Sequence, residues 1–125
     1  MSAKFEFDTS QRGLRAVLKD WQEEAMRALW SDRRSGLGSR AVWDQVNQRM
    51  GPPGISRASV INFLEAMAGM GVLEKTEITG KGGHRGIYSP AMDEAGFRKF
   101  VAETVLRALA GSFPGDTRRV VEDLG

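Results

Sequence analysis

A short run of basic residues and glycines is the part of the chain best suited to contact an anion. Residues 80–86 read GKGGHRG, in which Lys81, His84 and Arg85 stand among four glycines. Glycine permits a close approach of the backbone to a surface, and lysine and arginine bring positive charge to it. The run predicts contact with a DNA phosphate backbone; the alternative is a mobile tip whose charges serve only solubility.

Strand-forming residues flank this run on both sides, and a helix precedes it. Gly71 has the position of a residue that ends the preceding helix. We therefore predict a β-hairpin over residues 71–90 with its tip at residues 80–86. The strand positions are Val72, Leu73, Ile78, Ile87 and Tyr88.

The helix before the hairpin has one apolar side and one polar side. It spans residues 55–70, with Ser56 as the expected N-cap. Arg57, Ser59 and Asn62 lie on the polar side, and an asparagine can bind adenine in the major groove with two hydrogen bonds. We predict that this helix reads DNA bases. Its apolar side consists of Val60, Ile61, Leu64, Met67 and Ala68.

A second short helix is predicted over residues 39–50. Ser39 is its expected cap, Arg40 is the next residue, and GPPG at residues 51–54 ends the helix. At the N-termini of both helices, backbone N–H groups and an adjacent arginine favour a phosphate. The serines at these positions serve either as caps alone or also as phosphate ligands. Two short helices followed by a basic hairpin is the order of a winged helix-turn-helix.

The N-terminal part of the chain is less clearly patterned. A D-x-x-E box from Asp20 to Glu23 is expected to open the first helix, which either starts near Thr9 or follows a separate short turn. Residues 1–8 form either a frayed arm or a short edge strand, and residues 33–38 form a linker.

The C-terminal part carries more apolar residues than one helix stripe requires. Asp93 is expected to cap a long helix that ends near Gly111 and Pro114, and Asp116 to cap a closing helix. A second apolar face points to another subunit, although both faces could instead fold back on the monomer. The predicted dimerisation residues are Phe97, Phe100, Val101, Val105 and Leu109.

Composition sets the outer limits. The chain has 125 residues, no cysteine, and no run apolar enough to span a bilayer, so we expect one domain and a cytoplasmic location. The net charge is only +2, but residues 45–64 and 78–92 contain no acid, which suits contact with phosphates. A single histidine without cysteine supplies neither a metal site nor a nucleophile, and GKGG lacks the serine or threonine of a P-loop. We predict no catalysis, no cofactor and no small-molecule ligand.

Four segments resemble the winged-helix regulators of the penicillinase-repressor type, which include the methicillin-resistance and copper-responsive repressors. They are LKDWQEEAMRALW, SRAVWDQVNQ, ISRASVINFLEAMAGMGVLEK and GHRGIYSPAMDEAGFRKFVAETVLRAL, covering most of residues 18–123. The resemblance implies a homodimeric transcription regulator that binds a pseudo-palindromic operator in double-stranded DNA. It also implies that the dimer forms through the C-terminal helices. Ala58 and Ala66 stand where basic residues are usual, and without cysteine there is no thiolate copper sensing. The only Asn-Phe bond, Asn62-Phe63, lies inside the recognition helix, so regulation by cleavage is not carried over.

The fold class predicted from the sequence is mainly α with a small β-hairpin: an arm at residues 1–13, a winged helix-turn-helix at residues 14–92 and dimerisation helices at residues 93–125. The predicted function is sequence-specific DNA binding by a homodimeric repressor. Two alternatives stay open, a winged-helix module that binds protein without DNA readout, and an RNA-binding winged helix.

Overall fold

Three helices precede a β-hairpin, and two further helices follow it. The computed structural model describes residues 4–32, 36–80 and 83–125. The chain divides into two compact units, Met1–Asp93 and Glu94–Gly125. In the first unit a short 3-10 turn, Gly13–Ala16, is followed by α1 (Asp20–Ser31), β1 (Leu37–Gly38), α2 (Ser39–Met50), α3 (Arg57–Gly69), β2 (Leu73–Gly80) and β3 (Gly83–Pro90). The second unit consists of α4 (Glu94–Ser112) and α5 (Pro114–Leu124).

The predicted α+β class and the β-hairpin are confirmed. Gly71 follows α3 with φ +82°, the left-handed conformation that ends a helix, and β2 begins two residues later. The order of helices, hairpin and C-terminal helices is consistent with a winged-helix layout. No described helix combines the length and the apolarity that crossing a bilayer requires.

The sheet contains one strand that the sequence did not predict. β1, within the expected linker at residues 33–38, pairs antiparallel with β3, so β3 lies between β1 and β2. Gly36 has φ +81°, and a Cβ built there would lie 2.6 Å from the carbonyl oxygen of Tyr88. Glycine is therefore required where this segment approaches β3.

The hairpin tip is shorter than expected. Gly80 pairs with Gly83 and Thr79 with His84, so His84 and Arg85 belong to β3 rather than to a seven-residue tip. Alternation of glycine with basic residues hides strand character, because glycine contributes no side-chain signal to the pattern. Residues 81–82, and with them the predicted phosphate ligand Lys81, lie outside the described residues.

The core of the first unit lies between α1, α2, α3 and the base of the hairpin. The rings of Trp21 and Phe63 meet edge to face with centroids 5.5 Å apart. Trp43 donates its indole N–H to the Ile55 carbonyl at 2.7 Å, and Trp30 donates to the Met92 carbonyl at 3.1 Å. The buried apolar residues of this unit are Ala16, Leu18, Ala25, Met26, Ala28, Leu29, Val42, Val46, Val60, Phe63, Leu64, Met67, Val72, Leu73 and Tyr88.

Helix starts differ from the prediction in three places. Lys19, not Asp20, is the N-cap of α1, and its backbone N–H donates to the Gln22 side chain at 2.9 Å. The lysine side chain has no acceptor and makes no capping hydrogen bond, so the box expected from Asp20 to Glu23 is not formed. Gly38, not Ser39, is the N-cap of α2, which makes Ser39 the first helical residue. Phe113 precedes α5 with Pro114 in its first turn, so Asp116 is not a cap; proline needs no N–H partner at this position.

Two N-terminal alternatives and one helix end are also decided. A separate turn precedes α1, and residues 4–8 form no strand. α4 runs through Gly111 to Ser112.

Candidate nucleic-acid interface

The N-termini of α2 and α3 lie next to each other. Ser56 caps α3 as predicted, because its Oγ accepts a hydrogen bond from the Ser59 backbone N–H at 3.1 Å. The Arg57 guanidinium donates to the Ser39 hydroxyl at 3.5 Å and so connects the two helix starts. Arg40 and Arg57 are both exposed beside these N-termini. Two sets of free backbone N–H groups and two arginines thus face solvent together, an arrangement suited to phosphate oxygens.

The solvent side of α3 is continuous along the helix. Arg57 and Ala58 are exposed in its first turn, and Asn62, Glu65 and Gly69 follow Ala58 at spacings of three or four residues. Within the described residues the Asn62 amide has no hydrogen-bond partner, so its donor and acceptor are both available to a base edge.

Ser59 differs from Asn62 although both were predicted to read bases. Ser59 is half-buried, and its hydroxyl accepts a hydrogen bond from the Ser56 hydroxyl at 2.9 Å. Its oxygen is thereby directed to the start of α3. Of the two predicted base-contacting residues, Asn62 is the better exposed.

A groove of about 900 Å³ runs along one flank of α3. The N-terminal residues Lys4, Glu6 and Asp8 line it together with Asn62 and other residues of α1 and α3. The segment is fixed by a hydrogen bond from the Asp8 backbone N–H to the Ala16 carbonyl at 2.7 Å. Hydrogen bonds from the Ser10 side chain and backbone hold the pKa of the Asp8 carboxyl below its usual value, so this carboxylate stays charged beside the groove. No local sequence pattern indicated that the N-terminal segment lies beside α3.

The hairpin offers one described arginine. Arg85 is exposed on β3, opposite Ile78 of β2, whose side chain is also exposed. His84 is paired with Thr79 through the backbone, and its side chain lies outside what the structure describes.

Glu65, the only acid of α3, is paired with the hairpin. Its Oε1 lies 2.7 Å from the Nζ of Lys75 on β2. The hydrogen bond from Lys75 lowers the pKa of the Glu65 carboxyl and raises the pKa of the Lys75 ammonium. Burial, and next the interaction of its hydroxyl with Glu65, raises the pKa of Tyr88. Tyr88 is buried on β3, and Lys75 lies directly across from it. The sequence analysis missed the part played by Lys75, for which this cross-strand position was the available signal.

The predicted dimerisation residues fall into different environments. Phe97 is fully buried and Val101 nearly so within one chain, Phe100 and Val105 are half-buried, and Leu109 is exposed. Other exposed apolar side chains of the second unit were not in the predicted set. They are Leu106, Phe113, Val120, Val121 and Leu124.

In the described part of the chain, no three His, Asp or Glu side chains lie together in a way that could hold a metal ion. Comparisons of the chain with models of protein families, with curated proteins and with solved structures gave no significant match. Function must therefore be argued from the geometry.

Proposed function

We propose that this protein is a winged-helix transcription regulator that binds double-stranded DNA as a homodimer. In this proposal α3 enters the major groove, the N-termini of α2 and α3 contact phosphates, and the hairpin contacts the flanking backbone. Asn62 reads a base, while Arg40, Arg57 and Arg85 neutralise phosphates.

The observation that carries the proposal is the solvent side of α3. It combines an arginine at the helix start with an exposed asparagine whose amide is unengaged, and its single carboxylate is already paired with Lys75. An unpaired carboxylate on this side of α3 would repel phosphate, and the pairing with Lys75 reduces that repulsion. The hairpin follows within four residues of α3 and presents Arg85.

The second unit supports the homodimer. Leu106 and Leu109 have exposed fractions of 46% and 42% and lie three residues apart on α4, and Phe113, between α4 and α5, is 59% exposed. Exposed apolar side chains grouped in this way mark an interaction surface. A second copy of the chain accounts for them and gives the two-fold symmetry that an inverted-repeat operator requires, with half-sites about 34 Å apart.

A protein-binding winged helix is the second candidate. Ala58 occupies the exposed first turn of α3 where a DNA reader often carries a longer polar or basic residue, and Ile78 of the hairpin is 41% exposed. Both features suit contact with a protein surface better than contact with phosphates.

Selection of binding sites from random duplexes, followed by affinity measurements over a range of salt concentrations, separates the two candidates. We expect Asn62→Ala to weaken binding to the selected site by about 5- to 150-fold, equivalent to roughly 1–3 kcal/mol, with a much smaller effect on random DNA. Arg85→Ala is the matched variant at a proposed phosphate contact. It should weaken binding to the selected site and to random DNA alike, and reduce the slope of log affinity against log salt concentration by about 0.9. Failure to enrich any duplex, together with a flat salt dependence, would favour the protein-binding candidate.

A further inference from the structure

The Lys75 side chain lies against β3 of the hairpin, and its ammonium group binds Glu65 of α3. It stands directly across from Tyr88 in the β2–β3 register, and its Nζ lies 5.9 Å from the centroid of the Tyr88 ring. A Cβ built on Gly86 would lie 2.7 Å from Lys75 Cε, so the aliphatic stem of the lysine crosses the neighbouring strand at a position without a side chain. The ammonium group is consequently directed toward α3, with 29% of the side chain exposed.

Tyr88 anchors the other end of this cluster. It is 3% exposed and lies on the central strand, between Leu37 of β1 and Lys75 of β2. Its ring supports the Lys75 side chain whose ammonium group binds Glu65. The Glu65–Lys75 pair therefore connects α3 with β2, and the position of Lys75 beside Tyr88 extends this connection to β3.

We propose that Glu65 and Lys75, supported by Tyr88, form a clamp that fixes the hairpin at one angle to α3. The clamp works as a positioning device because the lysine that binds the carboxylate of α3 belongs to β2 and lies beside Tyr88 and Gly86 of β3. Its consequence for DNA rests on the function proposed above: Glu65 sets the separation at which α3 and the hairpin reach the duplex together, and it contacts no base itself. Glu65 thus contributes to specificity by geometry, while its charge opposes DNA binding.

The protein alone supplies the first test. The chain has no cysteine, so Gln48→Cys on α2 and Ile78→Cys on β2 provide a single pair of sites for nitroxide labels. With labelled chains diluted in unlabelled protein, the distance between the two labels should be narrowly distributed in the parent and in Lys75→Arg. We expect a clearly broader distribution in Glu65→Gln and in Lys75→Gln. Glu103→Gln, which removes a carboxylate from a pair with Lys99 on α4, is the control for loss of charge.

Tyr88 offers an independent reading, because it is the only tyrosine of the chain. Its ionisation is followed by ultraviolet absorbance. In Glu65→Gln the pKa of Tyr88 should fall toward the ordinary value, since the neighbouring negative charge that disfavours the phenolate is gone. In the control Glu103→Gln it should equal that of the parent.

DNA binding supplies the second test. Glu65→Gln should reduce the ratio of specific to random affinity about tenfold, with random-duplex affinity equal to or above that of the parent, while Lys75→Arg retains the parent ratio. An unchanged distance distribution in Glu65→Gln would overturn the clamp whatever DNA does. A broadened distribution with an unchanged affinity ratio would overturn its role in specificity. A broadened distribution in a protein that binds no duplex would support the clamp and reject the DNA-binding proposal instead.

Discussion

α3 and α5 are helices of similar length with opposite relations to the single chain. α3 buries the apolar side chains Val60, Phe63, Leu64 and Met67. α5 buries none, and Val120, Val121 and Leu124 have exposed fractions of 55%, 45% and 83%. α3 thus has a buried apolar side, whereas the apolar side chains Val120, Val121 and Leu124 of α5 lie in solvent. The two helices therefore have different expected partners, because the exposed apolar surface of α5 favours another protein surface and the polar side of α3 is the one proposed to contact DNA.

α4 shows the same contrast within one helix. At about 100° per residue, Leu106 lies opposite Phe97 and Val101, and Leu109 lies about 100° from them. Phe97 and Val101 are buried, whereas Leu106 and Leu109 are exposed. The set of dimerisation residues predicted from the sequence combined the two sides, because an apolar pattern does not distinguish which side the monomer covers.

The largest expected effect comes from changing the exposed apolar surface. Leu109→Gln combined with Val121→Gln removes apolar area from α4 and α5 at positions that the single chain leaves exposed. We expect sedimentation to show a dimer for the parent at micromolar concentration and a folded monomer for the variant. Affinity for an inverted-repeat operator should fall about 10²- to 10⁴-fold, because the second half-site loses its effective concentration.

Ala108→Gln is the matched control, since Ala108 is exposed on the side of α4 away from Leu106 and Leu109. It should leave both the dimer and the operator affinity unchanged. A parent that sediments as a monomer, or a footprint on only one half-site, would contradict the two-fold arrangement.

The next effect measures the contrast between α3 and α5 directly. Leu64 is fully buried in α3, so Leu64→Ala should lower the free energy of unfolding by about 2–5 kcal/mol. Leu124→Ala deletes the same atoms from a side chain that is 83% exposed and should cost less than about 0.5 kcal/mol in a monomeric background. Urea unfolding of both variants in the Leu109→Gln/Val121→Gln background gives the two values. Comparable losses would mean that α5 is packed in the monomer after all.

The sequence was sufficient for those features that depend on local patterns. The α3 helix, its Ser56 cap and the hairpin were predicted because helical spacing, a capping residue and a glycine stop lie next to each other in the chain. β1 was missed because a two-residue strand has no pattern of its own and exists only through its pairing with β3. The Glu65–Lys75 contact and the groove beside the N-terminal segment were missed for the same reason: each joins residues that are distant in sequence.

The smallest expected effect is a difference in stability between variants of Ser39 and Ser56, which were both predicted to be helix caps. Ser56 accepts a hydrogen bond from the Ser59 N–H, so Ser56→Ala should lower the free energy of unfolding by about 1 kcal/mol. Ser39 lies inside the first turn of α2 and makes no capping hydrogen bond, so Ser39→Ala should cost less than half as much. Urea unfolding at one protein concentration measures both variants. Equal losses would contradict the assignment of Gly38 as the cap of α2. Ser56→Ala also tests phosphate contact. If Ser56 acts only as a cap, the folded fraction of this variant should bind random duplex as tightly as the parent does. Weaker binding would mean that the Ser56 hydroxyl is a phosphate ligand as well.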